Sequence, residues 1–534
     1  MGQKVSEVII EQLHNFGVKH IYGYAGDTIL KFFSKLKGSP VKLFTTKHES
    51  TAGFMASAEA KLTGNLGVCI AHSGPGTTNI INGIADAYSD RVPLLLITGQ
   101  VPTYNIGTDY KQYVDQLKLT EPLTVYSSIL INPATVIDIF YKAMTMSILK
   151  GGVSHIVIPM DLWDQETNAI PRPYPEHLNH KQTVDENQLD RAATSINNTE
   201  KISILYGRGA KNCRQELIEL AQKINAPLIN TLPVSGLIEF GHPLRLGCLG
   251  HAGSNEAARA LNEADLILTV GATWWPKDYT PRKPRLIQLD LIKENIGATH
   301  PVDIGLIGDI KNTLQTLLSK INSKNETGWL DHIKDLRNNW MDRITKESHQ
   351  ENWPLPPQTI IRIISENTQP DEIICLDSGD NVIWFGRYFG NKCAHTLISG
   401  TWRTMGFSLP SALAARINKP NNQVTSIIGD GGLSMVLAEI STAVRYNLPI
   451  KIIVLNNNSL AMEKNRMEAA GLVPEEVELT NPDFVKIAKA CGFEGKRANN
   501  INELQALLKE NKQTNGLLID IPTASYPPSG TKLS

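Results

Sequence analysis

Two polar clusters in the last third of the chain are the residues best suited to chemistry. Asp430 lies in the sequence Gly-Asp-Gly-Gly, and Asn457 is the middle one of three consecutive asparagines. A carboxylate and an amide carbonyl are hard oxygen ligands of the kind that Mg²⁺ and Ca²⁺ prefer. Mg²⁺ usually takes only one or two protein carboxylates and completes its shell with phosphate oxygens and water. The pair therefore indicates a divalent cation that bridges to a diphosphate.

The elements around this pair are expected to bring it together. Residues 424–428 have the pattern of a buried strand, 433–446 that of a helix, and 450–455 that of the next strand. In a β-α-β unit both strands end at one edge of the sheet, where open α/β sheets bind ligands. Asp430 and Asn457 should therefore converge, and the amino terminus of the helix favours an anion. The alternative is a tight glycine turn beside a polar strand end, with no ligand.

Gly-Asp-Gly followed at this interval by Asn-Asn resembles the signature of the thiamine-diphosphate-dependent enzymes. The resemblance covers almost the whole chain and is closest to the acetolactate synthase and pyruvate oxidase group. It implies that the side chains of Asp430 and Asn457 bind Mg²⁺ and that Ser459 adds its main-chain carbonyl. The residues implied to lie against the diphosphate are Gly379, Asp380, Asn381, Gly431 and Gly432.

Two further segments resemble parts of the same family. Residues 45–64, which contain His-Glu at 48–49, are similar to the family's stretch around its activating acid, which implies that Glu49 acts on the aminopyrimidine ring. Alone, Glu49 could be a solvated glutamate that suits a helix dipole. Residues 404–410 resemble the family's Thr-Met-Gly turn. This implies that Met405 is the wedge that bends the cofactor and that the main-chain carbonyl of Arg403 accepts from its 4′-amino group. The alternative for a methionine is ordinary core packing.

The 534 residues suffice for several domains, and three α/β blocks are visible. Nearly continuous apolar strands separated by helices are typical of parallel sheets covered on both faces. We predict three consecutive doubly wound parallel-sheet domains: a pyrimidine-binding domain at 1–165, a central FAD-type, Rossmann-like domain at 185–335, and a domain at 355–525 that binds diphosphate and Mg²⁺. Proline-rich stretches separate the blocks and are typical of linkers.

The central block resembles the FAD-binding region of this group. The candidate FAD positions are Gly207, Gly209, Gly250, Gly271, Asp290 and Asp309. The alternative is a degenerate flavin fold without flavin. In this chain the sequence Trp-Trp-Pro-Lys at 274–277 stands where relatives usually carry a turn with phenylalanine and arginine, so FAD is left open.

The substrate side departs from the family pattern. Gln112 is retained in the stretch 106–113, but Lys111 replaces an aromatic residue. Glu463 replaces a small apolar residue, and Arg466 stands where the synthases carry tryptophan. Together these residues indicate a polar pocket in which Lys111 and Arg466 hold an anionic group and Glu463 pairs with one of them. The alternative is a solvated surface.

Composition excludes several other classes of protein. With 52 Lys and Arg against 53 Asp and Glu, the net charge of -1 argues against a nucleic-acid or anionic-membrane binder. No apolar run is long enough to span a membrane. Six scattered cysteines without a CxxC pair fit a reducing cytoplasm.

The resemblance implies a lyase or transferase that decarboxylates a 2-oxo acid, with pyruvate as the leading candidate, and ligates the remaining fragment to a second carbonyl acceptor. The alternatives are an FAD-dependent pyruvate oxidase, a simple 2-oxo acid decarboxylase, and a non-catalytic scaffold. In this family the acid and the metal site come from different subunits, which implies a homodimer or homotetramer.

Overall fold

The computed structural model describes residues 2–179, 181–273, 275, 279, 281, 283–325, 328–393, 395–510 and 516–527. These residues form three α/β domains, each built on a six-stranded sheet in which all neighbouring strands are parallel. The predicted fold class is therefore confirmed.

The first domain contains a sheet of strand order β3-β2-β4-β5-β7-β6. Its strands are β1 Gln3–Lys4, β2 His20–Gly23, β3 Lys42–Thr45, β4 Gly67–Ala71, β5 Leu94–Gln100, β6 Tyr126–Ile129, β7 Val153–Pro159 and β8 Glu166–Thr167, of which β1 and β8 form a separate antiparallel pair. Its helices are α1 Val5–Asn15, α2 Leu30–Leu36, α3 Glu49–Thr63, α4 Pro75–Ser89, α5 Gln116–Thr120 and α6 Val136–Lys150.

The central domain has the strand order β11-β10-β9-β12-β13-β14. In chain order this is 3-2-1-4-5-6, the order of dinucleotide-binding folds. The strands are β9 Ile202–Tyr206, β10 Leu228–Asn230, β11 Arg245–Cys248, β12 Leu266–Val270, β13 Arg285–Asp290 and β14 Ile304–Ile307. The helices are α7 Glu186–Asn197, α8 Arg214–Ile224, α9 Asn255–Asn262, α10 Ile310–Lys320 and α11 Gly328–Ser348.

The third domain has the strand order β16-β15-β17-β18-β20-β19, which repeats the order of the first domain. The strands are β15 Ile373–Leu376, β16 His395–Ile398, β17 Val424–Gly429, β18 Lys451–Asn456, β19 Glu494–Arg497 and β20 Leu517–Pro522. The helices are α12 Pro357–Asn367, α13 Asp380–Tyr388, α14 Ser408–Asn418, α15 Asp430–Val436, α16 Ile440–Arg445, α17 Ala461–Ala469, α18 Phe484–Ala490 and α19 Ile501–Lys509.

Helix α3 lies at the centre of the contact between the first and third domains. Its small and apolar residues are buried on every side, as expected for a helix without a polar face. Phe54 of α3 packs edge to face against Phe407, with ring centroids 5.9 Å apart. Buried residues of both domains therefore form one continuous core.

The helix after β17 differs from its prediction. The sequence pattern predicts one helix over 433–446, but α15 begins at Asp430 and a 3-10 turn at Leu437–Glu439 separates it from α16. The turn buries Glu439, whose carboxylate accepts hydrogen bonds from the amide of Lys47 at 2.9 Å and the hydroxyl of Thr442 at 2.6 Å. Because Lys47 belongs to the first domain, helical periodicity alone could not predict this break.

Candidate active site

A cavity of about 520 Å³ opens at the carboxyl ends of β15, β17 and β18. Strand β15 is followed in the chain by the edge strand β16, and β17 lies on its other side, so the cavity lies at the switch point of the sheet. The predicted residues that line it are Gly379, Asp380, Asn381, Arg403, Met405, Asp430, Gly431, Gly432, Asn457, Ser459, Glu463 and Arg466.

Asp430 and Asn457 reach the cavity from neighbouring strand ends. Gly429 pairs with Leu455 in the parallel register of β17 and β18, which places the residues that follow both strands at one edge. The carboxylate of Asp430 accepts a hydrogen bond from the amide of Gly431 at 3.0 Å. Asn457 accepts one from the amide of Ser459 at 3.1 Å.

Asn481 connects these strand ends and was not identified from the sequence. Its amide donates to Asp430 at 2.7 Å, to the side-chain oxygen of Asn456 at 3.1 Å and to that of Asn458 at 3.2 Å. Burial raises the pKa of Asp430, and the hydrogen bond from Asn481 opposes that rise. Asn481 therefore orients the carboxylate and favours its charged form.

The donor set suits a small divalent cation. One carboxylate, one amide carbonyl and one main-chain carbonyl are oxygen ligands, and they leave positions for phosphate oxygens and water. The helix α15 begins at Asp430, so its free amide groups lie at the same end of the cavity. These residues therefore fit a metal-bound diphosphate.

Asp377 is a second residue that sequence reasoning missed. It follows β15, is fully buried, and accepts hydrogen bonds from the amides of Gly406 at 3.1 Å, Phe407 at 2.9 Å and Ser408 at 3.3 Å. Burial raises its pKa to about 6. A Cβ at Gly432 would lie 1.9 Å from its carboxylate. Asp377 thus connects the Met405 turn to the glycine turn. The sequence signal that could have identified Asp377 is an acidic residue directly after a buried strand.

Met405 and Arg403 lie in one wall of the cavity. The terminal methyl of Met405 is 3.2 Å from the position that a Cβ of Gly431 would take. Arg403 has a φ of 58°, which is unusual for a residue other than glycine, and its Nε donates to the carbonyl of Gly400 at 2.6 Å. The backbone is therefore held in a special conformation just before Met405.

Glu49, Lys111 and Gln112 lie outside this cavity, in the first domain. Glu49 begins α3, is 8% exposed and accepts a hydrogen bond from Asn79 at 3.0 Å. Gln112 is bonded to His72 at 3.0 Å, and Lys111 is exposed on the same loop. One chain therefore carries two separate groups of predicted site residues.

Helix α17 presents the charged residues of the cavity wall. Arg466 and Glu463 form an ion pair at 2.9 Å, with side chains 65% and 53% exposed. Exposed pairs contribute little to stability, so Arg466 can exchange this partner for a ligand at small cost. On the same helix, Asn465 donates to Asp380 at 3.1 Å, and burial raises the pKa of Asp380 to about 6.

The candidate FAD positions lie at the carboxyl ends of strands of the central sheet, and Gly207, Gly209 and Gly271 lie at its switch point between β9 and β12. The amide of Gly209 donates to the carbonyl of Gly271 at 3.0 Å, and Gly207 lies against the same turn. Asp290 accepts from the amide of Ile292 at 2.9 Å, and Asp309 caps α10. The residues that flank Gly250, namely Leu249 and His251, line the cavity described above. Of the sequence at 274–277, only Trp275 belongs to the described residues.

Three family models match the chain. The thiamine pyrophosphate enzyme N-terminal TPP binding domain matches residues 3–119, the central domain matches 189–317, and the C-terminal TPP binding domain matches 377–521.

Similar proteins match over nearly the full length. A putative thiamine pyrophosphate-containing protein of Bacillus subtilis is 32% identical, over 99% of this chain and 93% of its own. A probable acetolactate synthase large subunit of Methanocaldococcus jannaschii is 32% identical, over 99% and 94%. The pyruvate oxidase of Lactiplantibacillus plantarum is 28% identical, over 98% and 89%.

The chain belongs to the thiamine pyrophosphate enzyme family. Its similarity to proteins named acetolactate synthase large subunit and pyruvate oxidase confirms the predicted group and the prediction of an enzyme. Within the part of the chain that the structure describes, no helix combines the length and the apolar character needed to cross a membrane.

Proposed function

We propose that this protein uses thiamine diphosphate and Mg²⁺ to decarboxylate a small 2-oxo acid, with pyruvate as the leading candidate, and to ligate the remaining fragment to a second carbonyl compound. The observation that carries the proposal is the cavity at the switch point of the third domain, which Asp430, Asn457 and Met405 all line. The similarity to proteins named acetolactate synthase large subunit also supports this proposed function.

Each half of the cavity has a defined role in this proposal. The oxygen ligands of Asp430, Asn457 and Ser459 hold Mg²⁺, and the glycine turn at 431–432 lets the backbone approach the diphosphate. When bound, thiamine diphosphate supplies the electron sink for the carbon skeleton that loses CO₂. Met405 and the carbonyl of Arg403 orient the aminopyrimidine end.

The acid is proposed to come from a second chain. Glu49 lies outside the cavity of its own chain, and a carboxylic acid must contact the aminopyrimidine ring. Two large apolar side chains near the Met405 turn are exposed, Met435 at 64% and Trp402 at 45%, and methionine and aromatic residues are enriched at subunit interfaces. These observations support a homodimer, or a homotetramer of two such pairs, with active sites between subunits.

Arg466 is proposed to bind the carboxylate of the 2-oxo acid. A guanidinium is a strong donor for a carboxylate, and the ion pair of Arg466 with Glu463 is exposed and therefore weak. Lys111 and Gln112 would face this site from the neighbouring subunit. The free cysteines of the described residues support a reducing, cytoplasmic location.

A second candidate function is FAD-dependent oxidation of pyruvate. The strand order of the central domain is that of dinucleotide-binding folds, and the residues beside Gly250 reach the cavity. Similarity to a protein named pyruvate oxidase supports it as well.

One experiment separates these functions. The purified protein would be incubated with thiamine diphosphate, Mg²⁺ and pyruvate, with and without a panel of aldehydes and 2-oxo acids, while CO₂, flavin absorbance and products are recorded. Release of CO₂ with a ligated product and an unchanged flavin spectrum is expected. Flavin reduction would favour the oxidase, and an unligated aldehyde a simple decarboxylase. If no 2-oxo acid gave cofactor-dependent CO₂, the proposal would be wrong.

A further inference from the structure

The segment that carries Arg403 and Met405 is held by the first domain of its own chain. We call residues 398–405 the wedge segment. Asp90, just after α4, accepts hydrogen bonds from two consecutive amides of this segment, from Thr401 and Gly400, both at 2.9 Å. A Cβ at Gly400 would lie 2.7 Å from the carboxylate of Asp90, so this approach requires glycine. The carboxylate of Asp90 therefore fixes the position and the orientation of the backbone at Gly400 and Thr401.

Asn82 holds the wedge segment at its other end. Its side-chain oxygen accepts from the indole of Trp402 at 2.8 Å, and its amide donates to the hydroxyl of Thr404 at 3.1 Å. These two contacts flank Arg403, which has a positive φ. Such a conformation is unfavourable and persists only when its surroundings fix it. Asn82 and Asp90 are such surroundings.

Asp90 is itself fixed by buried charges. Lys61, whose side chain is 3% exposed, lies 2.7 Å from Asp90 and 2.6 Å from Asp86, and donates to the carbonyl of Ile398 at 3.0 Å. Arg208 of the central domain donates to the main-chain carbonyl of Asp90. Burial favours protonation of Asp90, but Lys61, Arg208 and the amide of Gly400 hold its pKa below the ordinary value. The carboxylate of Asp90 therefore stays negatively charged, and residues of all three domains contact Asp90.

Helices α3 and α4 form a rigid pair. Gly53 and Gly83 bring their backbones so close that a Cβ on Gly53 would lie 2.7 Å from the Cα of Gly83. Glu49 begins α3 and is bonded to Asn79 of α4, whereas Lys61 and Asp90 lie near the opposite ends of both helices. A single packed unit thus carries the acid at one end and holds the wedge segment at the other.

We propose that Asn82 and Asp90 are positioning residues that set the Arg403 carbonyl and the Met405 side chain for the aminopyrimidine end of the cofactor. This inference rests on the proposed function. Neither residue lines the cavity, so both act through the wedge segment. Among the described residues, the hydrogen bonds of Asn82 and Asp90 reach neither Asp430 nor Asn457, which hold the diphosphate end.

The test uses the full-length protein and two ligands. Thiamine diphosphate with Mg²⁺ probes the whole site, and inorganic pyrophosphate with Mg²⁺ probes the diphosphate end alone. For Asn82→Ala, which removes two hydrogen bonds, kcat and thiamine diphosphate affinity should fall by about threefold to tenfold. Pyrophosphate affinity should stay unchanged. Asn82→Asp retains the acceptor for Trp402 but loses the donor to Thr404, whose hydroxyl already donates to the carbonyl of Met405 at 3.0 Å, so it should recover part of the lost kcat.

Asp90→Asn should have a larger effect, a fall of about 10- to 100-fold in kcat, because small displacements of catalytic groups are costly. Ser89→Ala, one residue earlier on α4, is the matched control and should resemble the unaltered protein. If Asp90→Asn fails to fold, the comparison of Asn82→Ala with Asn82→Asp still tests the proposal.

Two outcomes would overturn the proposal: unchanged kcat and cofactor affinity in Asn82→Ala, or an equal loss of pyrophosphate affinity, which would indicate a general structural role. Failure of the unaltered protein to bind thiamine diphosphate would instead overturn the proposed function. The two failures are therefore distinguishable.

Discussion

At the scale of single residues, the candidate metal site depends on partners that are not ligands. Asn481 donates to the carboxylate of Asp430 at 2.7 Å and also bonds Asn456 and Asn458. Residues that orient a ligand typically change metal affinity by about 10- to 100-fold when removed. This explains why the ligand motif alone does not describe the site.

We expect Asn481→Ala to weaken Mg²⁺-dependent binding of thiamine diphosphate by about 10- to 100-fold, because the carboxylate loses its orienting donor. Calorimetric titration at several Mg²⁺ concentrations measures this change. Asn499→Ala, an exposed asparagine of the same domain, serves as the control. Equal affinity in both variants would show that Asp430 needs no orienting partner.

A buried histidine predicts the response of stability to acid. His155 is fully buried between the hydroxyls of Thr98 at 2.7 Å and Thr120 at 2.8 Å, and burial lowers its pKa from 6.5 to about 3. Below pH 6.5 the unfolded chain binds a proton that the folded chain does not, so stability falls as the pH decreases towards 3. This residue should cost about 2 kcal/mol at pH 5 relative to pH 7.

The measurement compares thermal unfolding at pH 5 and pH 7 for the unaltered protein and for His155→Asn. The variant should lose less stability on acidification, whatever its absolute midpoint. His14→Asn changes an exposed histidine and should keep the original pH dependence. An identical pH response in all three proteins would contradict the assignment.

At the scale of elements, the first turn of α15 contains two glycines that should tolerate an added Cβ to different degrees. A Cβ at Gly432 would lie 1.9 Å from the buried carboxylate of Asp377, which cannot move because three amides hold it. A Cβ at Gly431 would meet the ends of Leu460 at 2.9 Å, Leu479 at 3.2 Å and Met405 at 3.2 Å. These flexible side chains can move.

Gly432→Ala should therefore abolish saturable binding of thiamine diphosphate, whereas Gly431→Ala should weaken it by about tenfold or less, since only side chains must repack at a typical cost of about 1–3 kcal/mol. Cofactor titration and thermal midpoints of the two variants provide the comparison. The two variants are each other's control because both add one methyl group. Equal tolerance at both positions would mean that Asp377 is not rigid.

At the scale of the whole molecule, the separation of Glu49 from the metal site predicts active sites that need two chains. In an isologous dimer, each chain gives its acid to one site and its metal ligands to the other. Glu49→Gln and Asp430→Asn should each be inactive, because one removes the acid and the other a metal ligand.

A hybrid of these two chains, coexpressed with different tags and purified on both, should recover about half of the activity of the unaltered dimer, since one of its two sites has no substitution. Each variant purified alone is the control. An inactive hybrid would show that Glu49 and Asp430 act within one chain.

The sequence by itself determined the three-domain α/β fold, the family and the local strand–turn–helix motif around Asp430. These features depend on residues close in the chain, whose periodicity and glycines restrict the backbone directly. Only the tertiary structure decided that Asp377 closes against Gly432, that Asn481 orients Asp430, and that Asn82 and Asp90 hold the wedge segment. It also placed Glu49 outside the cavity of its own chain. Each of these facts depends on packing between elements that are distant in sequence, and no local pattern specifies such packing.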